Sequence, residues 1–472
     1  MNFVSWAFVA LFLATFAARL TIGRRKIEPA YSAVLLASSL VFYGWHVPPY
    51  LIVLLASSTL DYLVGGMLGR LPPERAGLRR ACLTASVASN LGLLGFFKYG
   101  NFALSAGESL AGLAGFSPRL PALDFVLPMG ISFYTFQTLS YTIDVYRGRL
   151  APIHSFSRFL LYISFFPQLV AGPIVRATEF LPQMPRPRRL RLPVLYHGLW
   201  LLILGFFLKM VCADNLAAYV DEFWERGSRP GMDATFPLWL ALMFSAQIFA
   251  DFCGYSTIAR GLAYLLGYRL PINFDAPYIA GTFKNFWERW HITLSRWLRD
   301  YLYIPLGGNR GTRARTAVNL MVVMVLGGLW HGAAYTFIVW GAIHGVCLAV
   351  ERALGLQRAH VPRPVIVRAG WFVVVQAAVL VAWVFFRSET LAGAGQFLAN
   401  IAGGEWRLPD RWMLQAFVFL APVVAMHAHT WLLERGRMGH LGPTVRAVVA
   451  ALMLYGIITL HGGTADFIYF QF

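Results

Sequence analysis

Charge is what this chain has least of. Asp and Glu number 22 in 472 residues, and all charged types together make 13%, about half the roughly 25% of a soluble domain. That scarcity argues against a soluble enzyme. It also argues against a disordered chain, which needs polarity to stay unfolded. Cysteine is sparse too. Cys82, Cys212, Cys253 and Cys347 sit inside apolar stretches with no CxxC pair, which reads as thiols buried in membrane helices, without disulfide or metal. The GxSxG elbow, the Walker motif, HExxH and the GxGxxG fingerprint are all absent. Covalent serine enzymes, NTPases, zinc peptidases and dinucleotide-binding oxidoreductases thereby lose their usual marks.

Apolar residues are abundant: 58% of the chain is hydrophobic and 15% aromatic, with a mean hydropathy of +0.58. The net charge of +18 comes from 40 Lys and Arg against 22 acids. Basic chains often bind nucleic acid, but here the arginines cluster between apolar runs. The positive-inside rule of membrane proteins accounts for that pattern, and no nucleic-acid partner is expected.

A spanning helix needs about 20 mainly apolar residues. The first run, Phe3 to Ala18, is followed by Arg19, Arg24, Arg25 and Lys26. That is the reverse of a signal peptide's charge order, so it reads as a retained helix with its N-terminus outside. Residues 31–68 are too long for one pass and are interrupted at Gly44-Trp45-His46-Val47-Pro48-Pro49, a hairpin turn at the outer interface. Further apolar runs cover 81–98, 125–146, 156–175, 194–212, 236–252, 317–352, 371–386, 412–433 and 444–462. Basic segments 19–30, 69–80, 184–193 and 268–315 are placed in the cytoplasm, and the loop with Asp214, Asp221, Glu222 and Glu225 outside. The expectation is an all-α, multi-pass protein of the bacterial inner membrane, one domain over residues 1–472. About 11 transmembrane helices with re-entrant and interfacial pieces surround a central tunnel, against membrane lipids.

Residues 268–315 differ from the rest. Phe283, Phe286, Trp287, Trp290, Leu294, Trp297, Leu298 and Tyr301 recur at helical spacing. Lys284/Glu288 and Arg296/Asp300 are i,i+4 pairs on the polar side. One amphipathic helix is predicted, with His291 on its apolar stripe. Position alone gives an interfacial histidine bound to a carbonyl the same weight as a functional one. His331, in Gly327-Gly328-Leu329-Trp330-His331-Gly332, falls deep in the next apolar run, where an ionisable group is by default a functional hypothesis. The glycines permit close backbone approach or a helix break. His344 lies 13 residues on, about 220° around a continuous helix at ~100° per residue, and is expected to face away as a structural residue. Two inward histidines suit acyl transfer: one deprotonates an incoming hydroxyl, the other orients or polarises a thioester carbonyl. The turn Pro305-Leu306-Gly307-Gly308-Asn309-Arg310-Gly311, with Arg313 and Arg315, offers either a phosphate-binding backbone or a plain turn. Asp251, an acid within an apolar run, is expected to pair with a helix end or an arginine.

Ser132 to Gln137, Phe166 to Ile174, Asp251 to Ser256, Asn273-Phe274, Phe286 to Ser295, Arg299 to Asn309, Gly328 to Gly332 and the terminal Tyr469-Phe470-Gln471-Phe472 together resemble the membrane-bound O-acyltransferase (MBOAT) family, in its alginate O-acetyltransferase (AlgI-type) branch. The resemblance runs from about residue 130 to the end; the first 120 residues match only in hydropathy. It implies a helical bundle around a tunnel, with His331 at the catalytic position. His291 falls at a second position, histidine in this branch and asparagine in lipid-modifying relatives. Trp287, Trp290, Trp330, Asn309 and Arg310 are the implied substrate or tunnel residues. It further implies no permanently bound cofactor and no metal. The acyl donor is a cytoplasmic thioester, acetyl-CoA or an acyl carrier protein. A periplasmic acetyltransferase partner passes the acetyl group to an exopolysaccharide such as alginate. Two other readings stay open: D-alanyl transfer from a carrier protein to teichoic acid (DltB-like), and a transporter or flippase without acyl-transfer chemistry.

Overall fold

The computed structural model describes residues 3–22, 28–45, 47–116, 121–124, 127–170, 172–357 and 363–463. The terminal Tyr469–Phe472 motif lies outside the described residues. The protein is about 75% helix, and no strand occurs among the described residues. Eight described helices are long and apolar enough to cross a membrane, and the shorter apolar helices Trp6–Thr21, Pro29–Gly44 and Pro443–Thr459 accompany them. The protein is thus an all-helical, multi-pass membrane protein. Backbone contacts divide it into two compact units, Met1–Leu199 with Ala259–Pro271, and Trp200–Ile258 with Ile272–Phe472.

In the first unit the proline-bounded interruption forms the expected turn, between the helices Glu28–Gly44 and Tyr50–Arg70. Two apolar runs differ from the sequence reading. The run 125–146 contributes the helix Ile131–Tyr146, whose Ser132, Thr135, Gln137, Thr138, Ser140, Thr142 and Asp144 are buried. Thr138 and Thr142 donate to Asn90 and Asp61 on neighbouring helices. The run 156–175 forms no single span: the helix Phe156–Ser164 stops at Phe165 and a one-turn helix Phe166–Leu169 follows. Pro167, which cannot continue a helix from its neighbours' carbonyls, sits in that short turn. Asp61, on Tyr50–Arg70, is fully buried. Its carboxylate accepts from Ser86 Oγ at 2.5 Å, Asn90 Nδ2 at 2.8 Å and Thr142 Oγ1 at 3.4 Å, tying three helices together. Arg19, read from the sequence as a loop residue, is buried in the last turn of Trp6–Thr21 and donates to the carbonyl of Arg188. Two basic segments therefore meet.

In the second unit the run 317–352 is a helical hairpin, Arg313–His331 and Tyr335–Ala353. Glycine makes the close pairing possible. A Cβ on Gly328 would stand 2.2 Å from the Phe337 carbonyl oxygen, and one on Gly341 2.4 Å from that of Met324. Both are far inside van der Waals contact, so larger residues would drive the two helices apart.

The acids are placed differently from the sequence reading. Asp214, Asp221, Glu222 and Glu225, read as an outside loop, all lie on the helix Asp214–Gly227, and Asp214 is buried. Asp251 pairs with a lysine. Its Oδ1 lies 2.8 Å from Lys209 Nζ, which also meets Asp214 Oδ1 at 2.7 Å. Lys209 projects from a widened, π-helical turn, Phe207–Ala213. The four cysteines are free; three are buried and Cys347 is half-buried.

A histidine pair in an aromatic box

The segment 283–303 is not the single helix its periodicity predicts. A helix Phe283–Arg289 ends at Trp290, His291 takes a left-handed conformation (φ 41°, ψ 54°), and a second helix runs Ile292–Leu298. Arg299–Tyr303 then widens to a π turn. Of the two predicted i,i+4 pairs, Lys284–Glu288 forms at 3.5 Å, whereas Asp300 pairs with the adjacent Arg299 at 2.6 Å. The break comes before Arg296 and Asp300, and the π turn shifts their register. A non-glycine residue in the left-handed region costs about 1–3 kcal/mol and persists only where its surroundings hold it.

Three anchors hold it. Glu351, fully buried on the hairpin's second helix, accepts from the backbone nitrogens of Phe283 (2.6 Å) and Lys284 (3.0 Å) and from Trp371 Nε1 (3.1 Å). A carboxylate on the first amides of a helix is stabilised by their unpaired N–H groups and by the helix dipole. The Asn273 carbonyl accepts from Ile292 N at 2.9 Å. Asn273 Oδ1 accepts from Thr293 N (3.2 Å) and Thr293 Oγ1 (2.9 Å), and lies 3.1 Å from His291 Nδ1. Asn273 Nδ2 donates to Ser256 Oγ at 3.2 Å.

His331 ends its helix at the break before Gly332. Both histidines are buried, and their ring centroids lie 6.5 Å apart. Aromatic edges wall the pair. Trp330 meets His331 at 5.0 Å and His291 at 5.8 Å; Phe252 meets His291 at 4.6 Å; Trp340 and Phe386 meet His331 at 5.1 and 5.3 Å. Burial pushes the His291 imidazole down to about 3, so the ring is neutral at physiological pH. His291 Nε2 is buried with no hydrogen-bond partner among the described residues.

The other predicted residues divide. Trp330 touches both histidines. Trp287 reaches His331 through Trp340, 5.8 Å away. Trp290 packs behind, against Phe274 and Trp383. Asn309 and Arg310 are exposed on the turn after the π segment, and neither is among the residues that line the histidine pair. The turn spends its own amides: Gly307 N donates to Ile304 O, Gly308 N to Tyr303 O and Arg310 N to Gly307 O. Asn319 Nδ2 holds the Gly308 carbonyl. These amides are not aimed outward at a phosphate, so the plain turn describes them better. His344 does not face away. The hairpin break at Gly332–Ala334 cancels the helical arithmetic, and the His344 ring lies 4.9 Å from Trp340 and 5.1 Å from Trp287.

Asn273, Glu351 and Lys209 were not singled out from the sequence as supports of the site or partners of its acids. Glu351 carried the clearest signal, an acid directly after a nearly uncharged run of 35 residues. Lys209 was hidden inside the 194–212 run, and only folding brings Asn273 beside His291.

The sequence profile of the membrane-bound O-acyltransferase family matches residues 149–389, which include both histidines. A probable alginate O-acetylase, AlgI, of Azotobacter vinelandii is 39% identical over 414 residues, covering 87% of this chain and 80% of that one. A peptidoglycan O-acetyltransferase of Helicobacter pylori is 36% identical over 398 residues, 78% and 73% of the two chains. A teichoic acid D-alanyltransferase of Streptococcus thermophilus is 31% identical over 241 residues, 48% and 57%.

Proposed function

The chain belongs to the membrane-bound O-acyltransferase family, and from that premise we propose that it moves an acetyl group from a cytoplasmic thioester, acetyl-CoA, across the bacterial inner membrane for O-acetylation of an exopolysaccharide such as alginate. The observation that carries this reading is the pair of buried histidines 6.5 Å apart in a box of aromatic rings. Their centroids are farther apart than those of two directly hydrogen-bonded rings, a hydrogen bond spanning about 3 Å between heavy atoms.

In the proposed reaction the acceptor hydroxyl attacks the thioester carbon as its proton passes to an imidazole. The carbon–sulfur bond then breaks, and that proton ends on the leaving thiolate. His331 is the base. His291 is its partner, either holding the hydroxyl or polarising the carbonyl. Low dielectric strengthens both interactions. A periplasmic acetyltransferase would receive the acetyl group and pass it to polymer.

Alginate-type chemistry is favoured over D-alanyl transfer because the alginate and peptidoglycan relatives align over most of the chain, the D-alanyltransferase over less than half. The test is to give purified protein acetyl-CoA labelled in the acetyl group. Label leaving CoA in a His331-dependent manner supports the reading. Movement of an intact solute without thioester cleavage, or turnover only with a D-alanyl carrier, overturns it.

A further inference from the structure

The Asn273 side chain has only one orientation compatible with its neighbours. The Thr293 backbone nitrogen is a donor and nothing else, so the Asn273 atom 3.2 Å from it is the amide oxygen. The opposite, nitrogen end then points to Ser256 Oγ, which can accept. That same oxygen lies 3.1 Å from His291 Nδ1. An amide oxygen accepts only, so Nδ1 must carry the hydrogen. In a neutral imidazole the other nitrogen, Nε2, is then a bare lone pair. Phe252, Phe274, Trp330 and His331 are the rings packed around the imidazole, and His331 is the titratable one among them.

Resting on the acyl-transfer reading above, we infer that Asn273 is a positioning residue that locks His291 in the Nδ1–H tautomer, so that Nε2 enters the reaction as a hydrogen-bond acceptor for the attacking hydroxyl and not as a donor to the thioester carbonyl. Of the two jobs open to His291, the lock selects the first. The bound hydroxyl donates its one hydrogen to Nε2, and the O–H turns to His331, which takes the proton as the oxygen attacks. Asn273 also holds the backbone on the far side of the left-handed residue, through Ile292 N and Thr293 N. One residue thus sets the tautomer of the ring and the direction in which it points. A base oriented by a further group is the general arrangement of nucleophile-activating sites.

The test uses the full-length protein in detergent with ring-¹⁵N histidine, the His291 signals being identified by their loss in His291→Asn. The wild type should show a protonated Nδ1 and a bare Nε2, a readout that requires no turnover. Asn273→Ala should show both tautomers and lower the kcat for acetyl-CoA about 10- to 100-fold, the scale for losing a partner that orients a functional histidine. The KM for acetyl-CoA should stay within about threefold. Asn273→Asp keeps an accepting oxygen and should recover most of kcat. Its carboxylate favours the imidazolium, so the acid limb of the pH–rate profile should move up by about 1–3 units.

A wild-type His291 protonated at Nε2 overturns the inference, as does a well-folded Asn273→Ala enzyme with unchanged kcat. Wild-type protein that shows the Nδ1–H tautomer yet never cleaves acetyl-CoA leaves the lock standing and overturns the acyl-transfer reading instead.

Discussion

Two buried clusters in this protein, both built on ionisable side chains, differ in how their hydrogen bonds are filled. Around Asp61, in the first unit, each carboxylate oxygen receives a donor, from Ser86 and Thr142 on one side and Asn90 on the other. Asn90 Oδ1 in turn accepts from Ser57 and Thr138. Around His291 and His331, in the second unit, the walls are aromatic and His291 Nε2 has no hydrogen-bond partner among the described residues. An indole N–H nearby, that of Trp340, is also buried without a partner among the described residues. Buried polar groups are normally satisfied, and a left-over one calls for an explanation. A closed network joins helices and has nothing left to offer a ligand. An open one, on a backbone held in a sparsely populated conformation, is arranged for a molecule that arrives later. The first cluster reads as structure, the second as a site.

The largest effect that tests this contrast is on activity at the second cluster. His331→Ala should lose about 10²–10⁴-fold in acetyl transfer, the usual contribution of a general base, with its membrane level and thermal stability near wild type. Polymer O-acetylation in cells, normalised to quantified protein, measures it. Full acetylation by a well-expressed variant would break the assignment. Loss of protein in step with activity would place His331 with Asp61, as structure.

Asp61→Ala should do the reverse. It strands the Ser86 hydroxyl and one N–H of Asn90, while Thr142 keeps the Thr138 carbonyl, and an unsatisfied buried group costs about 1–3 kcal/mol. Thermal unfolding in detergent should therefore shift down by several degrees, while turnover per folded molecule changes less than about threefold. Asp61→Asn retains one acceptor and should fall between. A stable Asp61→Ala protein with abolished turnover would show that the closed network, too, serves the reaction.

How much of this could be read from the chain follows the same division. Helices came from apolar periodicity, the turn before Tyr50 from two prolines, and the His331 break from its glycines, because each is a local signal. The break at His291 was not legible. No glycine or proline marks it, and the stripe from Phe283 to Tyr301 continues through it because both short helices turn an apolar face inward. The residues that fasten the two short helices are remote in sequence: Asn273, 18 positions before His291, holds the start of the second, and Glu351, 60 positions after it, the start of the first. Asp251 was noticed as an acid in an apolar run, but its partner Lys209, 42 residues earlier, could be found only by folding. The choice between histidine and asparagine noted for the second family position also gains a physical reason. Asparagine is one of the few non-glycine residues that tolerates the left-handed conformation His291 adopts, and it too carries an acceptor.

The smallest expected effect sharpens the boundary of the open cluster. His344 is buried with both ring nitrogens unpartnered among the described residues, and Phe286, Trp287 and Trp340 surround it at 5.9, 5.1 and 4.9 Å. It stacks on Phe286, with 7° between the ring planes, as an aromatic residue would. If packing is its whole contribution, His344→Phe keeps the stack and removes a buried polar ring whose N–H has no acceptor. Replacing such a group by an apolar one of similar shape is nearly neutral or stabilising. His344→Phe should then match wild-type turnover within about twofold and unfold at the same temperature or slightly higher. His344→Ala should lose stability through the cavity it leaves, on the scale of about 2–5 kcal/mol for a large buried side chain. The pair of variants separates shape from chemistry. A stable His344→Phe protein with turnover reduced tenfold or more would mean that an imidazole nitrogen is needed there, and the open cluster would extend past Trp340 to a third histidine.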